Sequence, residues 1–587
     1  MDPIKVDFAN KKGGASKKEI VIPPEKAVLK IILSILGMLV FAAVAFYVML
    51  PALNFKDYEF YLYIGMVAAS YVVFNGILSN VMGKPEYIPY VKRRAIVPGI
   101  IIAILVVTVG IGYLVSCEFF RAKSYHNIID VDTKVFTEEI REEDYASFTD
   151  IPKLDDISAT ELANKALGDL AEKGYVSQFT ASPESTQINY KGAPVRVAPL
   201  KYANIIKWLN NTKGGLPGYV RINMADEKTE FVEATIKYST EEYFNEKLDR
   251  YLRFKYPTYI FGDANFEIDE NGRPYWICPV LDRTIGLFGG TDVKSVIIVN
   301  AEIGVNPEAD KLTGEFSIDQ IRNNEELKWI DRAYDSDLLV QQYNFYGKYP
   351  HGFWNSILAQ NDVITSTQGY NYIAKDDDVW MYTGVTSVTS DSSITGFVLI
   401  NQRTKEAQYY PVTGGTEAAA QEAAQGRVKQ YNYVATFPLI VNIDGQPTYF
   451  MSLKDATNIR QQYALIHVNQ YNKIGATSTD MDTCLENYRK ELKANGIDVK
   501  ENQAPVENKP VVDTLDGTPV TGTVAEIRTA VKGGDSYYYI KLDSNSAYFS
   551  IPASKDETVV ILNKGDNVTI TYSGEGAIIS AESIKIN

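Results

Sequence analysis

Three long stretches of apolar residues stand near the start of the chain, at residues 31–50, 61–82 and 95–117. They run for 20, 22 and 23 residues and contain no charged side chain. An α-helix rises about 1.5 Å per residue, so each stretch is long enough to cross a hydrocarbon core of about 30 Å. The pattern predicts an anchor of three transmembrane helices within residues 27–117.

Lysine and arginine are unevenly distributed around these stretches. Six lysines lie in residues 1–26, and four basic residues lie between positions 84 and 94, whereas the connection between the first two stretches has only Lys56. Cytoplasmic loops retain Lys and Arg. We therefore expect a cytoplasmic tail at residues 1–26 and a large extracytoplasmic region after residue 117. The predicted protein is a multi-pass protein of the plasma membrane.

The third stretch ends at Leu114-Val-Ser-Cys117, which resembles the lipidation site of a bacterial lipoprotein signal. The apolar run is longer than the 7–15 residues of a signal sequence, and it lies far from the N-terminus. We expect an uncleaved third span and an unmodified Cys117.

After the third stretch the pattern changes to shorter segments. Residues 118–157 are charged and lack a clear period, which predicts a stalk leading away from the membrane. A capping box, Ser158-Ala-Thr-Glu161, then predicts the start of a helix. From Gln187 onward short strands alternate with Gly, Pro and Asn turns. Residues 158–500 are thus predicted to be an α+β ectodomain.

A weak internal repeat lies inside this region. Four predicted strands end on apolar residues followed by asparagine, at Asn223, Asn300, Asn401 and Asn469. The intervals of 77, 101 and 68 residues are too irregular for a solenoid. They favour several small units, each a helix packed on a twisted antiparallel sheet.

The end of the chain has a different composition. Residues 501–519 are rich in Pro, Asn and Glu and are predicted to be a linker. Residues 520–587 contain six predicted strands between Gly, Asp and Asn turns, one of them at 559–562. Their order resembles a small β-barrel of the OB or SH3-like type.

One part of the ectodomain resembles a known family. The strand that ends at Asn401, the Ala-rich helix after Thr416 and the hairpin at Asp444-Gly445 resemble PepSY-type units. The turn in that family has the form Asn-x-x-Thr-Gly-Glu, and here Lys405 replaces the glycine. Residues 329–475 are also similar to uncharacterised membrane proteins of the Gram-positive cell envelope. The resemblance implies binding or inhibition of peptidases, or sensing at the envelope.

Charge restricts the class of partner. The chain carries a net charge of −15, and residues 1–117 contribute +5, which leaves −20 for the remainder. Nucleic-acid binding needs a basic surface. We therefore expect no nucleic-acid partner. The predicted partners are the lipid bilayer and an envelope protein or wall polymer, with the oligomeric state left open.

Catalytic and metal-binding motifs are absent from the sequence after residue 117. It contains no His-Glu-x-x-His, Gly-x-Ser-x-Gly, Ser-x-x-Lys, Gly-x-Gly-x-x-Gly or Cys-x-x-Cys. Cys278 and Cys484 lie in apolar surroundings and are predicted to be buried thiols, with a disulfide left open. The run Asp376-Asp377-Asp378 lacks calcium-loop spacing and is predicted to be a solvated turn. No catalytic residue, metal or cofactor is predicted.

One segment is a candidate ligand surface. Residues 343–354 contain six aromatic side chains, which could stack on a sugar or a peptide or could fill a core. The candidate binding residues are Tyr343, Tyr346, Tyr349, His351 and Trp354. Within the segment, we expect Phe345, Phe353 and Trp354 to be buried, and Tyr349 and His351 to be exposed.

These observations favour a protein without enzymatic activity. The leading hypothesis is extracytoplasmic binding, scaffolding or regulation in the bacterial cell envelope, with a peptidase as one candidate target. The rival hypothesis is an envelope hydrolase that acts on wall polymer or peptide. Such an enzyme would use carboxylates that the sequence does not single out.

Overall fold

The structure, a computed structural model, describes most of the chain in two compact parts, residues 1–500 and residues 501–587. The described residues are 21–140, 152–168, 175, 177–211, 214–388, 393–499, 518–532, 535–545, 547–553, 555–572, 576 and 578–587.

The predicted apolar helices are present. They cover Ala27–Met49, Tyr58–Leu78 and Ile96–Ser116, and all three are long and apolar enough to span a membrane. We call them spans one, two and three. Two short helices, Pro85–Tyr87 and Ile88–Arg94, connect spans two and three.

The described residues after the spans contain four modules of the same sheet topology. Each module has a helix followed by five strands, which we number in chain order, and module one has a further short helix, Ile205–Asn211, between its third and fourth strands. The third strand is central: it pairs with the first and second strands on one side and with the fourth on the other, and the fifth pairs with the fourth. The remainder is therefore a repeated mixed α/β architecture rich in antiparallel sheet.

The bounds of the modules are as follows. Module one has the helix Asp156–Gly168 and the strands Phe179–Ala181, Thr186–Tyr190, Ala193–Tyr202, Leu216–Asn223 and Thr229–Ile236. Module two has Leu248–Lys255, then Ile260–Phe261, Asn265–Ile268, Pro274–Ile285, Gly289–Asn300 and Gly314–Ser317. Module three has Ser336–Lys348, then Ile364–Ser366, Asn371–Lys375, Asp378–Ser387, Gly396–Asn401 and Ala407–Tyr410. Module four has Glu417–Arg427, then Val434–Ala435, Leu439–Ile443, Gln446–Lys454, Arg460–His467 and Gly475–Ser478, and a final helix, Met481–Ala494, follows.

Helices fill the spaces between successive sheets. Leu248 and Leu252 of the module-two helix lie in one core with the sheets of modules one and two. Tyr343 of the module-three helix lies in a core with the sheets of modules two and three. Ala420 and Ala424 of the module-four helix lie in a core with the sheets of modules three and four. The modules therefore stack one on the next, although their spacing in sequence is irregular.

Strand periodicity explains how one sheet serves two cores. Successive side chains of a strand point to opposite faces. In the third strand of module two, Trp276 and Cys278 face the first core, while Tyr275 and Ile277 face the second.

The asparagine signature marks the same position in three modules. Asn223, Asn300 and Asn401 each end a fourth strand, and each side-chain oxygen accepts two backbone N–H groups of the next turn at 2.9–3.2 Å. In module four the predicted Asn469 lies two residues beyond the strand. His467 takes the position instead, and its Nδ1 accepts the N–H of Gln470 at 3.0 Å.

Residues 118–140, predicted to begin a stalk, pack against modules three and four instead. The helix Glu118–His126 lies against module three, and the strand Val131–Thr133 pairs in parallel with Ala407–Tyr410. Phe136 and Ile140 are buried in the core of modules three and four. Residues 141–151 of the predicted stalk lie outside the described residues. The apolar side chains of residues 118–140 lack a period because they fill gaps between other elements.

The start of module one also differs from the prediction. Its helix begins at Asp156, and the Asp155 carboxylate, not Ser158, caps it by accepting the N–H of Ser158 at 3.0 Å.

The C-terminal part contains a closed barrel of five described strands, in the order first-second-third-fifth-fourth. They are Thr518–Lys532, Asp535–Leu542, Tyr548–Pro552, Asn567–Tyr572 and Ile578–Ile586. The prediction of a strand at 559–562 is wrong. Glu557–Val560 forms a short helical turn instead, which begins where the Asp556 carboxylate accepts the N–H of Thr558 at 3.0 Å.

Candidate functional site

The aromatic segment 343–354 does not form one surface. Tyr343 is buried between modules two and three. Tyr349, expected to be exposed, is 1% exposed, because its ring packs on Tyr125 and Phe353 and its hydroxyl donates to the Glu118 carboxylate. The expectation for Tyr349 was wrong because the helix that follows span three covers the ring.

The other candidates are divided between interior and surface. Tyr346 is half-buried and stacks on His126 with 4.8 Å between ring centroids. His351 is exposed, as expected, and its Nε2 lies 2.9 Å from the Asp362 carboxylate. Trp354, expected to be in the core, is 60% exposed on a helical turn, Gly352–Trp354. Aromatic composition alone did not show which face of these helices is covered.

The tip of a module-two hairpin packs directly on span three. The Oγ of Ser116 accepts the backbone N–H groups of Leu287 and Phe288 at 2.8 and 2.9 Å. The Phe288 ring contacts Tyr113 of span three and Tyr61 of span two, with centroid distances of 5.1 and 5.8 Å. We call this the hairpin contact.

The module-two helix packs on span one. Phe254 lies 5.5 Å from Phe46 between ring centroids, and the Arg250 guanidinium lies 4.3 Å from the Tyr47 ring. The Nε of Arg253 donates to the carbonyl of Leu50 at 2.8 Å. Together with the hairpin contact, these interactions attach module two to one end of the three-helix anchor, at the last turns of spans one and three and the first turn of span two. This attachment fixes the orientation of the modules relative to the spans.

A cleft of about 330 Å³ opens where modules one, three and four meet. Its lining is partly apolar and includes the buried residues Leu439, Phe450 and Met451. Tyr370 and Phe437 stand half-buried at its sides. The other lining residues are Pro152, Lys153, Leu154, Asp155, Ile157, Arg196, Asn371, Tyr372, Thr436 and Ser452.

Hydrogen bonds between modules hold the walls of this cleft. Asn371 of module three donates to the carbonyl of Phe437 in module four at 3.0 Å. The hydroxyl of Ser452 donates to the carbonyl of Lys153 at 2.8 Å. Apolar residues together with polar groups are typical of the lining of ligand pockets. The cleft can take an apolar or aromatic side chain whose backbone reaches the polar groups.

Glu267 and Asp331 are neighbouring carboxylates that are buried and have raised pKa values. Burial raises the pKa of Glu267 to about 7 and raises that of Asp331, and the neighbouring Glu267 adds to the effect on Asp331. Glu267 accepts the backbone N–H groups of Asp331 and Arg332, both at 2.9 Å. Asp331 accepts the N–H of Asn189 at 2.6 Å. Neither side chain can reach a substrate, so their role is to join modules one, two and three.

This pair predicts a pH dependence of stability. A carboxyl whose pKa is raised on folding does not reduce the free energy of unfolding at low pH, where it is protonated in both states. The free energy of unfolding falls as pH rises from the ordinary pKa of the group to its folded pKa. We expect the free energy of unfolding to fall between about pH 5 and pH 7. Asp331→Asn keeps an acceptor for Asn189 and should reduce the slope, which has a limit of about 1.4 kcal/mol per pH unit and proton.

Denaturant unfolding of the full chain at several pH values measures this slope. Glu325→Gln, at an exposed carboxylate, is the control and should leave the slope unchanged. Equal slopes for wild type and Asp331→Asn would show that the buried pair is not responsible.

The acidic run 376–378 and the two cysteines after residue 117 have structural roles. Asp376 and Asp377 form the turn between the second and third strands of module three, and Asp378 pairs with Arg403. Cys278 and Cys484 are free thiols in different cores. Among the described residues, no three His, Cys, Asp or Glu side chains are grouped as a metal site.

Sequence reasoning missed both the cleft and the hairpin contact. The cleft walls come from three modules that are far apart in the chain, so no local motif marks them. The sequence did contain a signal for the hairpin contact, because the apolar pair Leu287-Phe288 lies between glycines at a turn.

Comparison with known proteins adds no family. No family model matches the chain, and no curated protein matches it.

Proposed function

We propose that this protein is a membrane-anchored binding, scaffolding or regulatory protein of the bacterial cell envelope. The N-terminus is cytoplasmic in this proposal, and the modules are extracytoplasmic. The observation that carries it is the partly apolar cleft between modules one, three and four, on a body attached to the spans through module two. The occupant of the cleft is a peptide segment of an envelope protein, with a peptidase as the partner class that the PepSY resemblance implies.

The repeated modules support this proposal. Each is a helix packed with an antiparallel sheet, the architecture expected of PepSY-type units. The stacking of four such modules produces an extended surface with inter-module grooves, which repeat proteins use for binding.

We assign the C-terminal barrel to the OB class within the same proposal. Its third and fifth strands are parallel, its first strand pairs with both the second and the fourth, and a helical turn lies between the third and fourth. OB barrels bind extended polymers. Because the sequence after residue 117 is acidic, the proposed ligand is a wall polymer or a protein and not a nucleic acid.

The rival hydrolase hypothesis has weaker support among the described residues. The carboxylates Glu242, Glu267, Asp331 and Glu417 have raised pKa values but are buried. Burial also raises the pKa of Asp263, which lines a separate, polar pocket with Glu184 and Asp249. A glycoside hydrolase needs two carboxylates that flank a substrate.

Cross-linking from outside the cell tests the proposal. We expect Phe437→Cys, in a Cys117→Ser background, to react with a membrane-impermeant maleimide that carries a photoreactive group. The buried Cys278 and Cys484 should not react, because burial raises their thiol pKa values. Illumination of intact cells without a wall should then give a discrete protein adduct.

Ile303→Cys, in an exposed turn of module two, is the matched control and should be labelled without giving that adduct. Failure to label either cysteine would contradict the orientation. Labelling of both with the same adducts would contradict the cleft as the binding surface.

A further inference from the structure

Two groups of exposed apolar side chains flank the three spans. The first, the span-three patch, consists of Phe119, Phe120, Trp354, Ile357 and Leu358. The second, the span-one patch, consists of Ile205, Ile206, Leu209, Phe244 and Phe254. These ten side chains are between 45% and 76% exposed. Apolar patches of this kind are uncommon on soluble surfaces and mark interaction sites.

The span-three patch continues directly from the end of a span. Span three ends at Ser116, and Phe119 follows within one helical turn. The Phe119 ring lies 5.7 Å from Trp354 and 4.8 Å from Phe120 between centroids. Ile357 and Leu358 belong to the next helical turn, Asn355–Ala359.

The span-one patch is connected to the end of span one by a chain of contacts. Phe254 packs on Phe46, three residues before span one ends at Met49. Arg250, which lies over Tyr47, also donates to the carbonyl of Phe244 at 2.5 Å. The Phe244 ring lies 5.3 Å from Trp208, in the short helix that carries the three aliphatic members of the patch.

Module two reaches the depth of the last turn of spans one and three. Phe288 contacts Tyr113, three residues before the end of span three, and Phe254 contacts span one at the same distance from its end. At about 1.5 Å per residue, the ectodomain reaches about 4–5 Å below the span ends. The interfacial region of a bilayer begins at this depth, and it accepts Trp, Tyr, Phe and aliphatic side chains.

We infer that the underside of the ectodomain is embedded in the lipid leaflet from which span three emerges. The lipid bilayer is the occupant of both patches, because each patch is continuous with the outer end of a span. The embedded surface prevents the modules from tilting and holds the inter-module cleft at a fixed height above the lipid. This inference is independent of the ligand of the cleft.

Tryptophan fluorescence tests the span-three patch. Of the five tryptophans in the chain, Trp354 is exposed, whereas Trp208, Trp276, Trp329 and Trp380 are at most 9% exposed. The full chain is placed in phosphatidylcholine vesicles with or without bromine on the acyl chains. The emission that Trp354→Phe removes should be quenched at least twofold by the brominated lipid and should resist iodide in the water.

Quenching by iodide and not by bromine would show that Trp354 faces water and would overturn the inference. Protection from both quenchers would show that protein, such as a second copy, covers the patch, and would overturn it as well.

A single label tests the span-one patch. Ile206→Cys in a Cys117→Ser background carries an environment-sensitive fluorophore, and its emission should shift to the blue in vesicles relative to the same label at Ile303→Cys. Equal emission at the two positions would contradict embedding of this patch.

Discussion

Replacement of Arg403 by alanine is expected to destabilise the stacked modules by about 3–5 kcal/mol, because it leaves a buried carboxylate without its partner. The Nε and Nη2 of Arg403 donate to the two oxygens of Asp378 at 2.6 and 2.7 Å. Asn401, the residue of the repeat signature, donates to the same carboxylate at 2.8 Å. The side chains of Arg403 and Asp378 are only 11% and 9% exposed. Water therefore cannot replace the lost guanidinium.

Denaturant unfolding of the full chain in detergent measures this cost. Lys328→Ala removes an exposed pair with Glu325 and should cost less than about 1 kcal/mol. Adding Asp378→Asn to Arg403→Ala should recover part of the loss, since no charge then remains buried. A cost for Arg403→Ala no larger than that for Lys328→Ala would contradict the prediction.

Replacement of Gly286 by alanine is expected to break the hairpin contact. Gly286 has a φ of +64°, and an added Cβ would lie 2.5 Å from the Oγ of Ser116 and 2.9 Å from the carbonyl oxygen of Val115. The left-handed conformation costs about 1–2 kcal/mol, and the collision adds about 1–3 kcal/mol. Hydrogen exchange at Leu287 and Phe288 should become at least tenfold faster, because each 1.4 kcal/mol corresponds to a factor of ten.

The Gly445→Ala variant separates the conformational cost from the cost of the collision. Gly445 has a φ of +80° and nothing within 4 Å of an added Cβ, so its replacement carries the conformational cost alone. Exchange at Leu287 and Phe288 should be unchanged in this variant. Similar exchange at Leu287 and Phe288 in both variants would mean that contact with span three is not what restricts Gly286.

The spans could be predicted because length and lack of charge are properties of a continuous stretch. Span one begins at Ala27, four residues before the predicted apolar run at 31, since Lys30 continues the helix without breaking it. The repeat could be predicted in part, because an asparagine that closes a turn uses its own side chain. His467 was missed because an imidazole can accept the same kind of hydrogen bond only when its Nδ1 is unprotonated. Burial lowers the pKa of His467 and favours that form.

The stalk and the aromatic segment could not be predicted correctly, for a shared reason. Both depend on contacts between residues that are distant in sequence. Tyr349 is covered by Glu118 and Tyr125, and the strand Val131–Thr133 pairs with a strand nearly 280 residues later. A local pattern has no access to such partners. The barrel strand predicted at 559–562 failed differently, because Asp556 begins a helical turn within an apolar run.

The central claim is that the stacked modules lie directly on the spans through module two. Hydrogen exchange of the wild-type chain in lipid nanodiscs tests it most directly. The amides of Leu287 and Phe288, which donate to Ser116, should exchange at least a hundredfold more slowly than in an unstructured peptide. Exchange of these two amides at the rate of a free hairpin tip would contradict the claim.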